Sequence, residues 1–283
     1  MRDTLKSTVV FTVIAAIIFG LYLGGSFVYE ADTVKGAEVH FIDVGQGDSV
    51  LIRCGDKNML IDGATDYGGD AVISYIEKQG IKTLDIIVAT HPHDDHIGGL
   101  DEVIEMFGVD KIYMPDAYAA TDTFTEFLDA ADKATVVFPE SGDTFSLGDA
   151  DFTVIGPNNT VYNNLNNYSL CLRMTYGLNS FVFTGDAEAM AEREMISKGY
   201  ELMSDVLKAG HHGSKTASCE EFTEAVHPAI SVVSVGEGNS YGLPDEEALE
   251  RLGKYSRIYR TDVNGNIVVV SDGENLEVHY DYN

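Results

Sequence analysis

The chain has 283 residues, 45% of them hydrophobic, with 46 Asp plus Glu against 18 Lys plus Arg and a formal net charge of −28. That apolar content can bury a sizeable core, so a disordered acidic tail is excluded. The charge argues against a broad basic surface for duplex nucleic acid, but not against an anionic substrate held at a metal, where the cation supplies the positive charge. The three cysteines, Cys54, Cys171 and Cys219, have no metal-knuckle spacing and are too scattered for a disulfide scaffold. They read as small apolar residues.

In chain order, the first feature is Thr8–Val28, 21 residues without a charge. As a helix it would cross about 30 Å of hydrocarbon. Arg2 and Lys6 precede it and Glu30 and Asp32 follow, which puts the N-terminus inside and the rest outside. An uncleaved signal anchor is preferred over a cleaved signal, because the run is long and no clean small-x-small site follows. The expected division is an anchor or signal peptide over 1–28, a short linker over 29–37 and one domain over 38–283. That domain would stand on the extracellular face of the membrane, or be secreted if the signal is cleaved. Arg2 and Lys6 against Asp3 give 1–28 a charge of +1 and leave −29 to the remainder. An anionic membrane should repel that remainder.

Strand patterns follow at Glu38–Asp43, Ser49–Arg53 and Met59–Ile61, the last two separated by a Gly55-Asp56 hairpin turn. Val72, Ile73 and Ile76 predict a helix over Asp70–Gln79, stopped by Gly80. Leu84–Thr90 is an apolar strand, and a helix is expected over Leu100–Phe107. Thr123 with Glu126, and Ser218 with Glu221, read as capping boxes opening helices at Phe124–Lys133 and Glu220–Val226. Further strands are expected at Asp151–Ile155, Ser169–Tyr176, Phe181–Thr184, Val206–Ala209, Ile230–Val235, Arg257–Arg260, Ile267–Ser271 and Leu276–Tyr280. Helices are expected at Ala187–Lys198 and Asp245–Leu252. Two packed sheets covered by helices account for this order.

The chemistry concentrates at strand ends. His91-Pro92-His93-Asp94-Asp95-His96 leaves a buried strand and runs into Gly98-Gly99. Imidazole is a common neutral metal ligand and carboxylate supplies compensating charge. His91 and His93, two apart in an extended loop, project the same way. Asp95 and His96 follow a bend and can face another point, so the spacing suits two adjacent metals better than one. Asp186 ends the strand FVFTGD, and its two oxygens could bridge two cations. Its alternative role is a helix N-cap. His211 and His212, flanked by Gly210 and Gly213, leave another apolar strand. Gly45-Gln46-Gly47-Asp48 lacks the lysine of a phosphate loop and reads as a tight turn.

HPHDDH resembles the H-x-H-x-D-H signature of the metallo-β-lactamase superfamily, and the order LIDG, HPHDDH, FTGD, HHGS resembles that superfamily's motif order. The segments His40–Ser49 (HFIDVGQGDS), Asn166–Leu172 (NNYSLCL), LKAGHHGSKTAS and Tyr259–Gly265 (YRTDVNG) resemble the hydrolase domain of ComEC-type DNA-uptake proteins and stand-alone secreted relatives. The resemblance runs from about residue 38 to 280. It implies a mixed α/β (α+β-like) fold, an αββα four-layer sandwich of the metallo-β-lactamase type. It implies two divalent metal ions, zinc, with manganese as the harder alternative. The first would be held by His91, His93 and Asp186, and the second by Asp95, His96, Asp186 and a histidine of HHGS. His211 is preferred there over His212, because it directly follows the strand and Gly210. Asp62 and Asp48 would support the site.

Two departures from the family pattern stand out. No histidine lies between His96 and His211, where many superfamily members supply a third ligand to the first metal; Asn166 and Asn167 are available instead. Leu243 stands where the branch often carries a histidine. Two cations about 3.5–4 Å apart would lower the pKa of a bridging water to about 7. Asp95 would orient that nucleophile, and His212, Lys215 and Tyr241 are the candidate leaving-group acids. The expected function is hydrolysis of phosphodiesters in small or short anionic substrates, such as oligonucleotides or cell-surface esters. Lactone or amide hydrolysis is the alternative, and a non-catalytic binding module is a third reading.

Overall fold

The structure, a computed structural model, describes residues 34–281. The apolar stretch 8–28 expected to anchor the chain, and most of the linker, lie outside them. Among the described residues no helix is long and apolar enough to cross a membrane.

Strands β1 (Ala37–Phe41), β2 (Val50–Cys54) and β3 (Lys57–Ile61) form an antiparallel meander. Gly55, at φ 63°, and Asp56 close the two-residue hairpin between β2 and β3. Val39, Phe41, Val50, Ile52, Met59 and Ile61 face one side, while Leu51 and Leu60 face the other, and both sides are buried. Burial on both faces is why these strands read as nearly continuous apolar runs.

Helix α1 (Asp66–Lys78) starts four residues before the expected Asp70, because the Thr65 hydroxyl caps it by accepting the Gly68 N–H. Next come β4 (Leu84–Val88), the single turn α2 (Asp94–Ile97), α3 (Leu100–Phe107), β5 (Val109–Tyr113), α4 (Asp122–Ala131) and β6 (Thr135–Val137). The second half runs through β7 (Thr144–Leu147), β8 (Ala150–Gly156), β9 (Cys171–Tyr176), β10 (Asn179–Phe183), α5 (Ala189–Lys198), β11 (Val206–Lys208), α6 (Glu220–Val226), β12 (Ile230–Val233), α7 (Glu246–Gly253), β13 (Arg257–Arg260) and α8 (Thr261–Asn264). The chain then returns as the hairpin β14 (Ile267–Ser271) and β15 (Leu276–Tyr280) to pair with β1.

The first sheet has the order β15-β14-β1-β2-β3-β4-β5-β6 and the second β13-β12-β11-β10-β9-β8-β7. Each joins an antiparallel part to a parallel run, β3 to β6 in one and β10 to β13 in the other. One core lies between the sheets, where Phe41 and Phe183 meet at 6.4 Å between ring centres. A second core seats α1, α3 and α4 on the outer face of the first sheet, and a third seats α5, α6 and α7 on the second. On α3, Leu100, Val103, Ile104 and Phe107 supply the buried stripe. The order is helices, sheet, sheet, helices. All three cysteines are buried and unpaired.

Two helix starts differ from expectation. Thr121, not Thr123, caps α4 by accepting the Phe124 N–H, and the Thr123 hydroxyl donates to Asp94 instead. Ser218 makes no capping box with Glu221. The main-chain N–H groups of Ser218 and Cys219 donate to Glu192 of the neighbouring α5, at 2.6 and 2.8 Å.

Candidate metal centre

The histidine ligands, Asp62, Asp95 and Asp186 all leave the carboxyl end of a strand in one of the two parallel runs. Asp62 follows β3, His91 to His96 follow β4, Asp186 follows β10, and His211 and His212 follow β11. Ligand sites of open α/β sheets form at such ends. The β1–β2 turn brings in Asp48, whose N–H donates to the Asp95 carbonyl at 3.0 Å. Gly47, at φ 139°, lets that turn approach: a Cβ there would stand 2.7 Å from the same carbonyl.

Asp186 lies at the centre. Its Oδ1 is 3.3 Å from His96 Nε2 and 3.7 Å from His212 Nε2, and its Oδ2 is 3.8 Å from His91 Nε2 and 3.7 Å from His211 Nε2. It is not a helix cap: Glu188 occupies the cap position of α5, and the Asp186 N–H donates to Ser169 Oγ. Asp95 completes the inner group, with Oδ2 at 3.2 Å from His212 Nε2 and Oδ1 at 3.9 Å from His96 Nε2. His93 Nδ1 faces His91 Nε2 at 3.0 Å. Four groupings have ligand atoms all within 4.8 Å: His91, His96 and Asp186; Asp95, His96 and His212; Asp48, Asp62 and His96; Asp48, Asp186 and His212. His93 and His211 fall outside those groupings and reach the centre through the single contacts above.

The sequence expectation gave His211 to the second metal; in the structure it is His212 that groups with Asp95 and His96, and with Asp48 and Asp186. His211 and His212 both adopt left-handed backbone, at φ 51° and 52°, so their rings splay apart. His212 turns inward, 2% exposed, with Nδ1 at 3.0 Å from the Ser234 carbonyl and 3.2 Å from Asp48 Oδ1. His211 stays 26% exposed in its side chain. Of the proposed proton donors, His212 is thus enclosed in the cluster, while Lys215 and Tyr241 are exposed. Leu243 packs with the apolar core beneath α7.

Asp62, at φ 59°, accepts from the Thr90 N–H and hydroxyl and holds His96 Nδ1 at 2.8 Å. That contact leaves His96 Nε2 free to face Asp186. Asn166 places Nδ2 3.4 Å from His211 Nε2, whereas Asn167 Oδ1 accepts the Glu188 N–H. Lys208 was not anticipated. It is 2% exposed and its ammonium lies 2.6 Å from Asp48 Oδ2. One charged residue inside the apolar run VLKAG was the available signal. Thr90, Ser169 and Glu188 were likewise missed; nothing in the local sequence marks Thr90 or Glu188, and for Ser169 the signal was its place in the NNYSLCL segment.

Asp48, Asp62, Asp95 and Asp186 converge on Lys208, His96 and His212, and so dense a set of buried carboxylates is costly unless positive charge offsets it. Burial opposes charge on His96, but Asp186 and Asp62 hold it well above its ordinary pKa. Burial also opposes charge on His212, which Asp186 and Asp48 nevertheless raise to about 10. Asp186 and Asp95 are held low against burial by the imidazoles, and Asp48, against burial, by Lys208 and His212 to about 2. His96 Nε2, His212 Nε2 and Asp186 Oδ1 are buried and make no hydrogen bond among the described residues. Their separations of 3.3 and 3.7 Å match the edge of about 3.4 Å expected between tetrahedral ligands 2.0–2.1 Å from a cation. The donor set of imidazole and carboxylate fits a divalent transition metal.

Residues 42–237 match the family described as the metallo-beta-lactamase superfamily, and the chain belongs to it. Its members are generally metal-dependent hydrolases. The chain is 33% identical over 262 residues to ComE operon protein 3 of Bacillus subtilis, covering 85% of this chain and 34% of that protein. It is 31% identical over 250 residues to competence protein ComA of Neisseria gonorrhoeae, covering 87% and 34%. It therefore spans about a third of the length of these relatives. The metallo-beta-lactamase fold protein YhfI of Bacillus subtilis shares the fold at TM-score 0.54 and 15% identity, over 83% of this chain and 99% of that one.

Proposed function

We propose that the chain is a hydrolase of phosphodiester bonds that works with two divalent cations and stands outside the cell membrane on an anchor over residues 8–28. The observation that carries this reading is Asp186, whose Oδ1 faces His96 and His212 while Oδ2 faces His91 and His211. Cations bound on either side of it would supply positive charge to a scissile phosphate and acidify a water between them. The chain's own part is to orient and to hold charge. Asp62 fixes the His96 ring, the Ser234 carbonyl fixes His212 with Asp48 beside it, and Lys208 keeps Asp48 ionised. Asp95, partly exposed beside His212, is placed to accept a proton from an attacking water. Kinship with proteins named for competence supports nucleic acid as the source of the phosphodiester. Zinc suits the imidazoles, and manganese suits the carboxylates and the Asn166 amide.

The test uses the full-length chain in detergent, stripped with a chelator and reloaded with zinc or manganese. Bis-p-nitrophenyl phosphate, a short single-stranded oligonucleotide and a lactone are offered in parallel. Cation-dependent turnover of the first two is expected. Turnover of the lactone alone would replace this reading with a lactonase.

A further inference from the structure

The tandem histidines present a more specific division of labour. We propose that His211 is the missing third ligand of the first metal, so that the adjacent pair His211-His212 serves one cation each. This rests on the dinuclear reading above and names a ligand that the usual motif position does not supply.

Three observations lead there. The first is position: His211 Nε2 stands 3.7 Å from Asp186 Oδ2, and His91 Nε2 stands 3.8 Å from the same oxygen. With His93 Nδ1 at 3.0 Å from His91 Nε2, these spacings lie around the roughly 3.4 Å edge of a tetrahedral site. The second is the support of each ring. Metal-binding imidazoles carry a partner on the nitrogen that does not bind. His96 has Asp62 on Nδ1, and His212 has Asp48 and the Ser234 carbonyl. His211 repeats the pattern, with Thr216 Oγ1 at 3.1 Å and Glu188 Oε1 at 3.8 Å from Nδ1. Its Nε2 is thereby turned toward Asp186. The third is Asn166, whose amide lies against the His211 ring while its buried Oδ1 makes no hydrogen bond among the described residues. An unpartnered buried acceptor at that point suits a cation.

The backbone explains how neighbours can split. Consecutive left-handed residues between Gly210 and Gly213 aim successive side chains to different points. Gly210 leaves little room for a side chain, since a Cβ would stand 3.0 Å from Ala217 Cβ, and the turn is pinned by the His211 N–H donating to the Gly185 carbonyl. That bond ties the turn directly to the Thr184-Gly185-Asp186 segment. Glu188 acts as a positioning residue through the His211 ring.

The test is metal binding by equilibrium dialysis of the full-length chain in detergent, against buffered free zinc and manganese. The wild type should take up two equivalents. His211→Ala should keep one at wild-type affinity and bind the other roughly 10-fold or more weakly, and Glu188→Gln should weaken the same equivalent alone by a similar factor. Two equivalents at wild-type affinity in His211→Ala would overturn the proposal while leaving the dinuclear reading intact. A wild type that takes up no metal would overturn both. Should His211→Ala lose both equivalents through misfolding, Glu188→Gln decides: weakening of one site supports the proposal, and equal weakening of both contradicts it.

Discussion

At the scale of single residues, the centre depends on charges that have no access to water. Lys208 and Asp48 form a buried ion pair at 2.6 Å, and Asp48 in turn touches His212. Lys208→Met should strip the Asp48 carboxylate of its nearest countercharge and cost about 3–5 kcal/mol in urea unfolding. The double variant with Asp48→Asn should recover most of that loss, because the carboxylate that Lys208 paired with is gone as well. Asp48 has a folded pKa lowered to about 2, so its contribution is present above its unfolded value of about 3.9 and is lost as pH falls toward 2. In Lys208→Met that acid limb should shift to higher pH. Most of the cluster was legible in sequence, since HPHDDH, FTGD and HHGS each end an apolar strand. The choice between His211 and His212 was not, because it turns on backbone dihedrals that two identical side chains cannot reveal. Lys208 and Glu188 escaped for a related reason: their roles exist only through partners distant in sequence.

At the scale of elements, loop 214–219 after the tandem histidines is held from two sides. Glu192 of α5 accepts the Ser218 and Cys219 N–H groups, and Arg251 of α7 donates to the carbonyls of Lys215, Ala217 and Ser218. Glu192→Ala would leave two buried N–H groups unpaired, at a cost of about 2–4 kcal/mol in thermal or urea unfolding. Burial raises the Glu192 pKa to about 7, so the native state binds the extra proton between pH 4.5 and about 7. Stability should fall with pH across that window and level off above it, and Glu192→Gln should remove the slope. A buried carboxylate on another helix did the work that the local Ser218 and Glu221 pattern promised. Strands buried on both faces, such as VLIRC and KNMLI, were readable from their apolar runs. Strands β5 (VDKIY), β6 (TVV) and β7 (TFSL) were not, because they lie toward the sheet edges, where polar residues alternate or the run is too short to carry a period.

At the scale of the molecule, two sheets with parallel runs bring four strand ends to one point, and the −29 borne by residues 29–283 surrounds it. That field should oppose the approach of an anionic substrate even though bound cations attract it locally. Raising ionic strength from 10 to 150 mM shortens the Debye length from about 30 Å to about 8 Å. The kcat/KM for a short oligonucleotide should therefore rise severalfold with salt, and a fall would mean that a basic surface guides the substrate after all. The two-sheet architecture was readable in outline from the order of strand and helix signals. The return of β14 and β15 to β1 was not, because pairing partners more than 200 residues apart leave no local mark. The central claim is that Asp186 joins two cations into one hydrolytic centre. Its most direct measurement is hydrolysis of bis-p-nitrophenyl phosphate by chelator-treated full-length protein, before and after adding zinc or manganese, in the wild type and Asp186→Asn. The account predicts turnover that returns only with the cation and falls by roughly 100-fold or more in the variant, as loss of a group stabilising the transition state requires. Turnover that survives chelation, or that is equal in Asp186→Asn, would contradict it.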